Sequence, residues 1–203
     1  PLLVWIGIPL HVVITVVATC ALIQGGIGVG QLRATAPWRL SVIATGVRMP
    51  SMIIGVFVLK RIVDLRADQI RIIVGCMLCL LVAVQFFWKP RPVEKTHWSW
   101  AGLSFVASGL LAGICGMGGP PLVLWSMAHT WSSEKTRGFL FAVYVASIPI
   151  QIILLYFAFG SNILSSVMLA IIFSPFVYLG TLVGMPIGNR MSKDKLRGIA
   201  YAI

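Results

Sequence analysis

The residues of this chain whose types and spacing could bind a small molecule gather in one stretch, Gly109 to Trp125. Gly113, Gly116, Gly118 and Gly119 fall within seven residues and Pro120-Pro121 follow, inside an apolar segment from Leu103 to Met127. Glycine costs a helix interior about 1 kcal/mol relative to alanine and proline about 3 kcal/mol. The cluster therefore predicts that the chain unwinds midway across an apolar layer and leaves two half-helices. Proline suits the first turn of a helix, so Pro120 or Pro121 starts the second half, Leu122 to His129. A helix start offers unpaired N–H groups and partial positive charge, which favour an anion, and glycines let backbone approach it closely. Alanine at Gly118 or Gly119 is expected to block that approach and to penalise a positive φ. The other reading is a glycine face for a neighbouring helix, which accounts for Gly109 and Gly113 but not for the two prolines.

Arg48 is the second candidate, because it lies inside the apolar run Leu40 to Leu59. An arginine at membrane depth is expensive and commonly faces the bundle interior. With Arg39 shortly before it and Pro50 able to kink the helix, snorkelling toward an interface is the alternative. All five acids, Asp64, Asp68, Glu94, Glu134 and Asp194, fall in or at loops, which argues against cation transport and for a site of backbone N–H groups and arginine. Cys76 and Cys79 form a CxxC without the second pair or histidines of a metal set. With Cys20 they read as packing residues, while Cys115 stays a candidate because it sits in the break. If protons couple to transport, His11 and His129 are the candidates, although a lone histidine near a helix end is more often an interface residue. No clustered carboxylates, nucleophile with a base, or metal ligands appear, so the sequence predicts no enzyme, no metal and no cofactor. A membrane-embedded enzyme on lipid-like substrates and a non-transporting partner subunit are the competing classes.

The elements that must position these residues are membrane helices. Of 203 residues, 59% are hydrophobic and 10% charged, against about one-quarter charged in a soluble domain. Apolar runs reach the length of about 20 residues that spans a bilayer, so the fold class is an all-α, multi-pass integral membrane protein. Spans are expected over Leu2 to Val29, Leu40 to Leu59, Ile70 to Trp88, the broken segment, Phe139 to Phe159 and Ile163 to Ile187. Gly25 to Gly30 reads GGIGVG but follows no strand, so it is no nucleotide loop. The net charge of +11 sits almost wholly between apolar runs, where it sets orientation; no segment offers the basic domain that nucleic acid needs. If the broken segment crosses, Lys60 to Arg71, Lys135, Arg137 and Arg190 to Arg197 put ten basic residues on one side. Arg33 to Arg39 and Lys89 to Lys95 put five on the other, so the first side is expected to be cytoplasmic.

Residues 89–98, rich in proline and charge, read as a hinge between a first membrane repeat, 1–88, and a second, 99–203. Gly55, Arg61 and Arg71 repeat as Gly184, Arg190 and Arg197, the weak internal symmetry of transporters built from duplicated halves. Gly113 to Pro121 (GICGMGGPP), then Lys135 and Arg137, then Gly184 to Arg197, resemble the second half of the sulfite exporter TauE/SafE family. Ile6 to Arg39 looks like the part of the first half that follows its own glycine-rich loop, and the opening without Met suggests a fragment lacking that loop. The resemblance implies a permease of the cell membrane that exports sulfite, organosulfonates or related small anions. Its candidate anion-binding set is Arg48, Gly113, Cys115, Gly116, Gly118, Gly119, Pro120, Pro121 and Arg137. The expected fold is a helix bundle of two related halves with a broken or re-entrant glycine-rich helix, its partners the bilayer and the anion.

Overall fold

The computed structural model describes residues 8–87 and 98–190. Its regular elements among the described residues are α1 Leu10–Leu32, α2 Trp38–Val63, α3 Ala67–Phe87, α4 Trp98–Cys115, α5 Gly119–Met127, α6 Ser133–Phe159, α7 Asn162–Ile172 and α8 Ser174–Arg190. Helices α1, α2, α4 and α6 are long and apolar enough to cross a bilayer, and α7 with α8 adds a fifth span if the bent pair counts as one. The chain is thus an all-α, multi-pass membrane protein. Large apolar side chains such as Phe57, Phe157 and Phe176 lie exposed on its outside, where lipid rather than water meets them. The hinge expected at 89–98 lies, except for Trp98, outside the described residues, as do Leu2 to Gly7 and the basic residues Lys193 to Arg197.

Local chemistry sets the helix ends. Ser132 has an extended backbone and its Oγ accepts from the Lys135 N–H at 3.2 Å, while Glu134 lies in the first turn of α6; both satisfy the positive end of that helix. Gly160, at φ 72°, ends α6 in a conformation that only glycine adopts freely. The span expected over Ile163 to Ile187 is instead two helices bent by 51°. Pro175 falls in the first turn of α8, so the ladder bond that a continuous helix needs is absent there. By contrast Pro50 and Pro149 sit inside α2 and α6 without ending them.

Helices α2, α4 and α6 run the same way. Gly109 of α4 lies against the Arg48 backbone, Gly113 against Met52 and Gly55, and Gln151 of α6 reaches Ala112. Helix α1 runs opposite, with Gly28 against the Phe141 ring at one end and Ile14 clustered with Val56 and Leu155 at the other. The close contacts thus join α1 and α2 to α4 and α6.

The broken segment does not cross. In a continuous helix Phe105 and Trp125 would stand about 30 Å apart at 1.5 Å per residue, yet their ring centroids are 5.0 Å apart. Helix α5 therefore folds back along α4 as a re-entrant hairpin, clamped by Ala101, Phe105, Leu122, Trp125 and Phe139 in one buried cluster. Its tip lies at membrane depth: α2 continues from Val56 to Val63 and α6 from Gln151 to Phe159, about 10–12 Å of helix beyond it.

That path overturns the charge count of ten against five, which required a crossing. Ala36, between α1 and α2, lies 3.2 Å from where a Cβ on Gly138 would stand, so Arg33, Arg39, Lys135 and Arg137 share one end. Lys60, Arg61, Arg66 and Arg71 share the other with Ser161, because Leu10, Leu59 and Ile163 form one cluster there. In a background without native cysteines, Thr35→Cys and Thr130→Cys are expected to react with an impermeant maleimide from one face of the membrane and Ser161→Cys from the opposite face. Labelling of Thr35→Cys and Thr130→Cys from opposite faces restores the crossing segment.

Candidate functional site

The hairpin tip is built by capping rather than by a loop of free backbone. Gly116 takes φ 71° and its N–H donates to Ala112 O at 3.1 Å, the left-handed end that closes a helix with glycine. The Met117 N–H and Cys115 Sγ both donate to Leu111 O, and Gln151 Nε2 donates to Ala112 O at 2.8 Å. The Ser108 hydroxyl donates to Gly118 O, tying the start of α5 to α4. Pro120 follows at once in the first turn of α5. Since neither Pro120 nor Pro121 carries an N–H, Gly118 and Gly119 are the residues with amide hydrogens to offer at this helix start.

Arg48 lies against this tip and is only 2% exposed. Its Nη1 donates to Ser147 Oγ at 3.0 Å, and its Nη2 is 2.6 Å from where a Cβ on Gly118 would stand. The Arg48 Nε is buried with no hydrogen-bond partner among the described residues. A buried donor left unpaired costs about 1–3 kcal/mol, more when charged. The Tyr144 ring lies 6.0 Å from the Arg48 Cζ, and its hydroxyl is 2.9 Å from the position of a Cβ on Gly119. The arrangement therefore gathers a guanidinium, two hydroxyls and two amides with no acidic side chain buried among the described residues: Asp64, Asp68 and Glu134 are exposed. Such a donor set can hold an oxyanion.

The structure brings together Arg48, Gly118 and Gly119 and settles the first of these as interior rather than snorkelling. Gly116 forms the bend beside Ile14, and Cys115 is buried at the end of α4. Gly113 lies in a close contact between α4 and α2, where a Cβ would stand 2.5 Å from Met52 O and 2.7 Å from the Gly55 α-carbon, an approach that small residues permit. Pro120 and Pro121 line a different cavity of about 420 Å³ between α3, α4 and α5, with Leu80, Leu103, Leu124 and Trp125. Its walls are almost wholly apolar, so it does not serve an anion. Arg137 is half-buried at the start of α6, about 15 Å along that helix from Ser147 at 1.5 Å per residue. His129 lies beyond α5, its ring 4.4 Å from that of Trp125 and 4.7 Å from that of Trp131. His11 stacks on Phe159 at 4.6 Å.

Against known proteins, the family model described as "Sulfite exporter TauE/SafE" matches residues 1–203. The chain belongs to the sulfite exporter TauE/SafE family. Members of that family are transporters rather than enzymes. A curated relative, "Probable sulfite/organosulfonate exporter TauE" of Cupriavidus necator, is 26% identical over 170 residues, which are 82% of this chain and 64% of that protein. The chain thus spans just under two thirds of the relative it matches. No solved structure matches it.

Reading the TauE/SafE chain by its glycines and its one deep arginine misses Tyr144, Ser147 and Gln151. They were legible as polar residues spaced three and four apart on α6, hence on one face of an otherwise apolar membrane helix. Ser108 carried no comparable signal, because a lone serine in a membrane helix usually bonds its own turn.

Proposed function

We propose that this protein carries a small oxyanion across the cell membrane and that the anion binds at the tip of the α4–α5 hairpin. The observation that supports this most is the buried Arg48 guanidinium beside Gly118, with Nε unpartnered among the described residues. A ligand oxygen in that place would complete the donor and supply the opposing charge, which is what keeps an arginine tolerable at membrane depth. Re-entrant backbone at that depth persists only where protein or a water-filled cavity surrounds it, and transporters use such half-helix ends for substrates.

The substrate class is sulfite or an organosulfonate and the direction is export, in line with what the name of the Cupriavidus necator relative says of that protein. Gly118 and Gly119 give the anion its amides, Tyr144 and Ser147 their hydroxyls, and Arg48 the charge. The test is flux. Proteoliposomes holding the protein are expected to take up labelled sulfite saturably and to lose that uptake to excess methanesulfonate. Uptake no greater than in protein-free vesicles sinks the proposal.

A further inference from the structure

We infer that the hairpin site is matched to a single negative charge, binding monoanions such as a sulfonate or hydrogen sulfite and rejecting dianions of the same shape. The inference rests on the reading that Arg48 and the hairpin tip form the anion site. Among the described residues Arg48 is the only buried guanidinium, ammonium or carboxylate. Ser147 and Tyr144 beside it, and Ser108 and Gln151 on the hairpin backbone, are neutral and stabilise charge without supplying any.

Helix dipoles do not alter the balance. A lone helix start contributes up to about half a positive charge, but here the start of α5 lies against the end of α4. The Ser108 hydroxyl on Gly118 O, and the 2.8 Å between the Ala112 Cβ and where a Cβ on Gly118 would stand, show how close the start of α5 is to the last turn of α4. The negative end of one helix therefore offsets the positive end of the other. Counted over the described residues, a monoanion beside Arg48 brings the site to zero net charge, whereas a dianion leaves one uncompensated charge at the depth of the tip. By the cost of a single charge placed mid-membrane, that difference is about a hundredfold in affinity.

Methanesulfonate and sulfate test this, being tetrahedral sulfur oxyanions of similar size that differ by one charge. Sulfite tests it within one molecule, because a proton converts its dianion to its monoanion. With purified protein and equilibrium binding, methanesulfonate is expected to bind about a hundredfold tighter than sulfate. Sulfite affinity is expected to fall about tenfold per pH unit above the anion's second ionisation, while methanesulfonate affinity stays flat over the same range. Arg48→Lys keeps the single charge and should keep the preference at lower affinity for both. Sulfate binding within a few-fold of methanesulfonate, or sulfite binding that ignores pH, overturns charge matching and leaves the anion site standing. Absence of binding by all three anions to the wild-type protein removes the site itself, and the inference with it.

Discussion

Arg48→Gln is expected to lower anion transport by at least a hundredfold while the protein still inserts and folds. A hydrogen bond to a charged group contributes about 1.5–3 kcal/mol, and the site offers an anion both the unpartnered Nε and the Nη2 against Gly118. Two such bonds, lost together with the single buried charge, amount to at least a hundredfold in binding at about 1.4 kcal/mol per decade. Folding does not need the guanidinium in the same way. Removing a buried charge relieves its desolvation, and Ser147, which accepts from Nη1, can turn its hydroxyl to a carbonyl of its own helix. Arg48→Lys falls between, since it keeps the charge and loses the planar fork. Flux in proteoliposomes, with the amount of inserted protein measured on the same vesicles, decides. Wild-type flux from Arg48→Gln would mean that Arg48 only braces α2 against α6.

Much of this arrangement is written in residue types. The coincidence of Gly116, Gly118, Gly119, Pro120 and Pro121 marks the break, because helix propensity acts locally. The direction taken after the break is not local. Leu122 to Met127 would suit a continuing span equally well, and what turns α5 back is the packing of Trp125 on Phe105 and Phe139. Length was the available clue: α4 alone runs Trp98–Cys115 and α5 only Gly119–Met127, so the second arm is too short to cross on its own. Arg48 shows the same division. Its sequence position allows both an interior and a snorkelling side chain, and only the neighbouring helix decides, by placing Ser147 at 3.0 Å. The break at Pro175 was legible as a helix-start proline, but the apolar run continues through it and conceals the bend.

The glycines of the tip separate close approach from backbone strain, and the two predict different failures. A positive φ belongs to Gly116 and not to Gly118, at φ −75°, so the strain expected of alanine at Gly118 is absent. Gly118→Ala fails by collision instead. Its Cβ would stand 2.6 Å from Ser108 O and 2.8 Å from the Ala112 Cβ, both fixed to α4, so the hairpin must open. Overpacking of this kind costs about 1–3 kcal/mol, and the variant is expected both to melt lower and to lose anion binding. Gly119→Ala meets only the Tyr144 hydroxyl, at 2.9 Å, the far end of a side chain that can swing aside. That variant is expected to melt like wild type and to bind anions about tenfold more weakly, the loss of roughly one hydrogen bond. Ile163→Ala serves as the stability control, because Ile163 is 1% exposed and belongs to the cluster with Leu10 and Leu59, away from the hairpin. Leu103 would not serve, since it is 59% exposed, lines the apolar cavity beside α3 and holds little of the fold. Ile163→Ala should melt lower by a cavity costing about 2–5 kcal/mol, yet bind anions as wild type does. Thermal melts without ligand and binding isotherms for the three variants separate the cases. If Gly119→Ala binds as tightly as wild type, the anion does not reach the start of α5, and Arg48 must hold it from the α6 side through Ser147 alone.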